Sequence, residues 1–145
     1  MPLLKGEGVK AFPFTLIYGG IMIQVYSTNI TVAANTAIPL NNVAFKKGCT
    51  AELNGTSTIS LNKCGVYMVS FDASSATSTT VQLFVNGVAQ PQAQATGTNP
   101  SFVTLVSVGE NNTCCPCSAP TVIQFMNTGA EATFTDFNVV VTKVI

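Results

Sequence analysis

The chain has 145 residues and a formal net charge of zero, with six basic and six acidic side chains, while 47% of its residues are hydrophobic. This length fits one domain with one core, and so few charges leave much neutral or apolar surface on a monomer. The absence of histidine and arginine excludes imidazole catalysis, histidine metal ligands and bidentate phosphate recognition. We therefore expect a non-enzymatic protein with no catalytic residues, no cofactor and no nucleic-acid partner.

The first segment, residues 1–19, mixes glycine, proline and aromatic residues without the period of a packed strand. Residues 11–26 loosely resemble a signal peptide, but proline, glycine and polar residues interrupt them, and a membrane span needs roughly 20 unbroken apolar residues. We expect neither a leader nor a membrane partner. Residues 1–19 are instead predicted to be an N-terminal anchoring arm, followed by a head domain over residues 20–145. The anchor candidates are Phe12, Phe14, Ile17 and Tyr18.

The head begins with strand patterns. Residues 21–26 alternate between apolar and mixed positions, which is typical of a half-buried strand. Asn54-Gly55 lies between two short β-prone runs and predicts a two-residue hairpin, because both central residues of that turn take positive φ. Residues 65–73 and 80–85 are predicted strands, and Asn86-Gly87 predicts a second tight turn after them.

The second half of the head continues in the same way. Residues 90–100 are polar and contain proline, so we expect a loop there. Strands are predicted over residues 102–108, 121–127 and 132–145, and no segment carries a helical stripe. Eight to ten short strands at this spacing predict an all-β jelly-roll sandwich with an extended N-terminal arm.

Several predicted strands are apolar on both faces, although a sandwich strand needs only one apolar face. The strict alternation places Phe134 on the face opposite Phe137, for example. The second faces either pack against a neighbouring subunit or leave singly exposed apolar side chains, which are common on monomers. The scarcity of charge favours subunit packing. The interface candidates are Tyr67, Phe71, Phe84, Phe134 and Val140.

Four short motifs carry a family resemblance. They are the strand Gly65–Phe71, the Leu83–Gly87 segment ending in Asn-Gly, the Val108–Glu110 turn and the β-rich ending Phe137–Ile145. In this order they resemble the tumour-necrosis-factor-like (TNF-like) jelly rolls, including the globular head of the first complement component. Glu110 stands where that family usually has aspartate. The resemblance implies a tight homotrimer, and it is greatest to spore-surface heads, phage head fibres and capsid decoration proteins.

The resemblance implies two functions. The first is a structural virion protein on the capsid surface: a trimeric decoration or head-fibre protein whose partner is the major capsid protein or another virion component. The alternative is an adhesive head on a bacterial cell or spore surface that binds a host glycan or protein. Amides at Gln90, Gln92, Gln94 and Asn99 suit that alternative, whereas the lack of tryptophan and of a collagen-like stalk counts against it.

Five cysteines are the remaining chemistry-bearing residues. Cys49 and Cys64 flank the Asn54-Gly55 hairpin, and they form either a disulfide or two free, small hydrophobic side chains. Cys114-Cys115-Pro116-Cys117 has the spacing of zinc ligands but lacks a second pair to complete four, so we expect no metal site. A loop near a subunit contact and a cross-chain disulfide remain the alternatives for this segment.

Overall fold

The structure, a computed structural model, describes residues 22–48, 51–109 and 121–145. Within these ranges every regular element is a strand, which confirms the all-β prediction. The strands in chain order are β1 (Met22–Val32), β2 (Thr36–Ala37), β3 (Asn42–Lys47), β4 (Ala51–Asn54), β5 (Thr58–Leu61), β6 (Gly65–Ser75), β7 (Thr79–Val85), β8 (Val88–Gly97), β9 (Ser101–Val108), β10 (Thr121–Asn127) and β11 (Ala132–Lys143).

The strands form two antiparallel sheets that pack face to face. Sheet I has the order β9-β6-β11-β1-β3, and sheet II has the order β4-β5-β10-β7-β8, with β2 added beside β10. Neighbours in each sheet are mostly far apart in sequence, so the chain crosses repeatedly between the layers. This is the jelly-roll sandwich predicted from the strand spacing. The last strand, β11, lies at the centre of sheet I between β6 and β1.

An aromatic cluster joins the two layers. Phe71 and Phe137 project inward from sheet I with ring centroids 4.8 Å apart, and Phe125 from sheet II lies 5.5 Å from Phe71 and 6.0 Å from Phe137. All three side chains are buried. Offset and edge-to-face aromatic contacts at these distances stabilise a core beyond the transfer of their area from water. The cluster therefore fixes how sheet I sits on sheet II.

A bulge corrects the predicted position of Phe134. The pairing of β11 with β6 shifts by one residue between Phe134 and Asp136. On the other side of β11, Asn29 of β1 lies in the left-handed region at φ 51°. One extra residue reverses the alternation of side chains beyond it. Phe134 therefore points into the core with Phe137, at a centroid distance of 5.9 Å, instead of lying on the opposite face.

Of the two predicted turns and the predicted loop, the structure confirms one turn and corrects the other two elements. Asn86 and Gly87 both have positive φ, at 50° and 81°, so the predicted two-residue turn between β7 and β8 is confirmed. Asn54 pairs with Thr58 across a three-residue loop instead of entering a two-residue turn, and only Gly55 of that predicted turn has positive φ. The predicted loop at 90–100 is wrong, since β8 pairs with β7 as far as Gly97.

Two buried polar side chains hold ends of the sandwich. The Tyr67 hydroxyl donates to the carbonyl oxygen of Lys63 at 2.8 Å, which ties β6 to the turn before it. Asn127 is fully buried, and its Nδ2 donates to the carbonyl oxygens of Val32 and Ala130 at 3.1 and 2.9 Å. Such hydrogen bonds offset the cost of burying polar atoms.

Candidate subunit interface

The outer face of sheet I carries a row of side chains that runs across all five strands. The strand register places Val103, Ser70, Val140, Gln24 and Phe45 side by side, each opposite the next. Val103 is 64% exposed and Phe45 is 49% exposed, so apolar side chains lie in water at both edges of the row. The middle of the row is half-buried.

The next row on the same face is also poor in charge. It places Leu105, Met68, Thr142, Met22 and Lys47 side by side. Leu105 is 61% exposed and Met68 is 37% exposed, and the row's single charge is at its β3 edge. These ten residues define the sheet I face, on which six apolar side chains are interspersed with Ser70, Gln24, Thr142 and Lys47. The exposed apolar side chains on this face make it a candidate interaction surface.

One end of the outer surface of sheet I is polar. Asp72 pairs with Asn138, and Asn138 accepts a hydrogen bond from Gln24 Nε2 at 2.9 Å. Asp136 lies one step beyond, opposite Ser74. Both aspartates are exposed. They form a charged rim beside the sheet I face, an arrangement common at protein interfaces.

The outer face of sheet II differs in kind. The outward side chains of β7 and β8 are mainly amides and hydroxyls, several of them bonded to one another, whereas Val122 and Met126 on β10 are half-buried apolar side chains. Gln82 Nε2 donates to the carbonyl oxygen of Gln90 at 3.0 Å, and the hydroxyls of Thr80 and Thr96 lie 2.7 Å apart. Phe84 on this face is half-buried between its cross-strand neighbours. The outer face of sheet II is therefore largely polar, whereas the outer face of sheet I exposes apolar side chains at both of its edges.

The structure places three of the five predicted interface residues in the core. Tyr67, Phe71 and Phe134 are at most 1% exposed because they point between the sheets, so no partner reaches them. Phe84 lies on the outer face of sheet II, away from the sheet I face. Val140 alone of the five candidates lies on that face.

Sequence reasoning missed the most exposed members of the sheet I face. Val103 and Leu105 alternate with the inward-facing Thr104 and Val106 in β9. The available signal was that β9 carries apolar residues on both of its faces. Two apolar faces were predicted for β7 and β11 but not for β9. Phe45 lies in β3, a segment with no strand pattern of its own, and all six residues of that strand are exposed.

The anchor and cysteine predictions fall largely outside the described residues. This applies to the anchor candidates Phe12, Phe14, Ile17 and Tyr18, and to Cys49 and the 114–117 segment. Cys64 is buried and disulfide-bonded. Its pairing with Cys49 stays a prediction.

Across residues 22–48, 51–109 and 121–145, no group of three or more potential ligand side chains is placed to hold a metal ion. The same ranges contain no helix with the length and hydropathy of a transmembrane segment.

Comparison with known proteins places the fold. No family model matches the sequence, and no curated protein matches it. PRD1 vertex protein P5 superposes with a TM-score of 0.60 and 11% identity, over 87% of this chain and 98% of that one. The globular domain of zebrafish complement 1qA gives 0.59 and 11%, over 82% and 94%. Murine APRIL at pH 8.5 gives 0.57 and 9%, over 83% and 98%.

These similarities define a class. The chain has the TNF-like jelly-roll fold, which confirms the resemblance inferred from its motifs. At identities of 9–12% the shared property is the fold alone, since one fold supports many functions.

Proposed function

We propose that this protein is a structural virion protein: a homotrimer, assembled through the sheet I face, that decorates or projects from a phage capsid. The observation that carries the proposal is the difference between the two outer faces. Sheet II presents bonded amides and hydroxyls, whereas sheet I presents Val103, Leu105 and Phe45 to water. A partner surface on sheet I removes that apolar area from water.

The energetics favour such burial. Fully burying a leucine, valine or phenylalanine side chain stabilises by about 1.5–3 kcal/mol. Val103 and Leu105 are both more than 60% exposed. Burying each of them against a partner therefore supplies a large part of this stabilisation. The sheet I face bears almost no charge to desolvate, which lowers the opposing cost.

The placement of the apolar residues suits a three-fold ring. In a ring, each subunit uses one surface patch to contact a different patch on its neighbour, so every chain needs both patches. Sheet I provides two such patches at its opposite edges: Val103 and Leu105 on β9, and Phe45 on β3. TNF-like heads are typically homotrimers, so the fold and the surface support the same assembly.

A vertex protein among the structures with this fold supports the virion setting. The arm over residues 1–19, with Phe12, Phe14, Ile17 and Tyr18, is proposed to attach the trimer to the major capsid protein or another virion component. Stabilising a particle needs no catalysis, so a non-enzymatic role is part of the proposal.

Sedimentation tests the assembly. The wild-type protein is expected to sediment as a trimer at micromolar concentration, and Leu105→Asp is expected to sediment as a folded monomer, because the substitution adds a charge to the sheet I face. Gln94→Asp adds the same charge on the exposed part of β8 and is the matched control. A wild-type monomer, or an L105D trimer as stable as the control, would contradict the proposal.

The adhesive-head alternative makes a different demand. It needs the outer loops or sheet II to bind a host glycan or protein. The amides at Gln90, Gln92 and Gln94 lie on β8, where they bond largely to the strand itself: Gln94 Nε2 donates to the carbonyl oxygen of Pro91 at 3.2 Å, for example. The structure therefore favours the structural role over adhesion through these residues.

A further inference from the structure

We propose that a polar recess at the β4–β5 edge of sheet II binds a neutral monosaccharide. The recess has a volume of about 300 Å³ and is lined by Glu52, Leu53, Asn54, Ser60 and Asn62. This volume is at the lower end of the range for small-molecule sites, which suits a ligand of one sugar ring.

The side chains of the recess are held in place by their own hydrogen bonds. Glu52 Oε1 accepts from Lys46 Nζ at 3.3 Å, and Glu52 Oε2 accepts from Asn62 Nδ2 at 3.2 Å. Asn54 Nδ2 donates to Ser60 Oγ at 3.0 Å. Each carboxylate oxygen has further lone-pair capacity, and so do the amide oxygens. The recess therefore offers several acceptors and donors, and the part-buried Asn54–Ser60 pair is the best ordered of them.

This set of groups matches the chemistry of a sugar. Adjacent hydroxyls of a pyranose donate and accept at neighbouring positions, and a carboxylate beside an amide provides the complement. Leu53 pairs with the buried Ile59 and packs against the core, so the polar side chains on either side of it supply the contacts to a sugar. The charges of Lys46 and Glu52 cancel as an ion pair, so the recess favours a neutral ligand over a phosphorylated or acidic one.

The position of the recess leaves it open in the proposed trimer. Glu52 and Ser60 are cross-strand neighbours on sheet II. Lys46, which bonds Glu52, pairs with the buried Ile23 and so lies on the side of β3 opposite the sheet I face. The inference therefore goes beyond the structural role and does not depend on it: a particle-bound trimer would present three such recesses.

Saturation-transfer NMR tests the site with four probes: the methyl glycosides of glucose, galactose, mannose and N-acetylglucosamine. At least one is expected to receive transfer from the wild-type protein. Glu52→Gln keeps the shape and removes the charged acceptor, and it is expected to weaken that probe's affinity about tenfold. Asn54→Ala is expected to weaken it as well. Glu131→Gln, the same change at an exposed position at the far end of the sandwich, is the matched control and should leave affinity unchanged.

Two results would overturn the inference: no transfer to any of the four probes, or equal affinity in wild type, E52Q and N54A. Thermal unfolding of each variant shows whether it is folded, and a variant that fails to fold leaves the other to decide. Leu105→Asp is expected to retain binding, so failure of the trimer proposal and failure of the sugar site are separately visible.

Discussion

The hydroxyl of Tyr67 and the carbonyl oxygen of Lys63 are joined by a 2.8 Å hydrogen bond at the buried start of β6. Burial of the phenol raises the pKa of Tyr67 above its ordinary value of 10.0. The folded protein therefore keeps Tyr67 protonated at a pH where the unfolded chain ionises it. The contribution of Tyr67 to stability is complete below pH 10 and is lost progressively as the pH rises above it.

Tyr67→Phe tests this linkage. At pH 8 we expect the variant to be less stable by about 1 kcal/mol, because the hydrogen bond is lost. At pH 11 the difference should shrink, since phenylalanine has no proton to lose on unfolding. Urea unfolding of both proteins at the two pH values measures it, and lysine titration, common to both, cancels. An identical difference at pH 8 and pH 11 would count against the assigned pKa shift.

Asn127 is predicted to be among the most sensitive polar positions. Asn127→Ala leaves the Val32 and Ala130 carbonyls and the Thr79 hydroxyl without this partner, which should cost about 2–4 kcal/mol in unfolding free energy. Gln124→Ala on the outward side of the same strand is the control and should cost under about 1 kcal/mol. Chemical denaturation compares them; similar losses would mean that the buried network is unimportant.

The β7–β8 turn predicts a purely conformational effect. A Cβ atom at Gly87 meets no atom within 4 Å, but the residue has φ 81°. Gly87→Ala should therefore destabilise by about 1–2 kcal/mol through backbone strain alone, and Gly87→Asn should cost less because asparagine tolerates this region. Thermal unfolding ranks the two variants. Alanine at least as stable as asparagine would contradict the assigned turn.

The arm and the head are predicted to be separable. Deleting residues 1–19 should leave the described sandwich folded, because its strands pair with one another from Met22 onward. Under the proposed virion role, the truncated protein should fail to co-sediment with the phage capsid that the full chain is expected to bind. Circular dichroism and sedimentation check the fold. Undiminished capsid binding by the truncated chain would refute the anchoring role.

The sheet I face supplies a fifth test through apolar substitution. Val103→Ser and Leu105→Ser together should weaken trimerisation at least tenfold while leaving the unfolding midpoint of the monomer nearly unchanged, since both side chains are solvated in the single chain. Analytical ultracentrifugation across a dilution series gives the dissociation constant. Val81→Ser, at a buried position, should do the reverse: it should lower stability far more than it changes association.

The fold was predictable because the alternation of apolar and polar residues and the turn residues specify most of the strands of a β-sandwich. Asn86-Gly87 has the residues that its turn requires, and β6 alternates without interruption. Phe134 was misplaced because a bulge is set by pairing with β6 and leaves no mark in the local pattern. The polar composition of β8 predicts a loop. The segment is a strand because its pairing with β7 outweighs that composition.

The candidate interface was less predictable for a related reason. Alternation shows that a strand has two apolar faces, but it does not show which face meets the other sheet. In β9 the alternation identifies Phe102, Val106 and Val108 as the core face, but it gives no sign that the exposed Val103 and Leu105 on the other face meet a partner. The outward face is defined only once the register of all five strands is known.

The register also places the beginning of β1 beside the end of β11, since Met22 pairs with Thr142. Four connections, at residues 33–35, 76–78, 98–100 and 128–131, lie together at the opposite pole. A peptide inserted at 76–78, where all three residues are exposed, would project from the pole opposite Met22. On a trimer bound to a capsid, that pole would become a display platform, with three copies of any grafted epitope per attachment point.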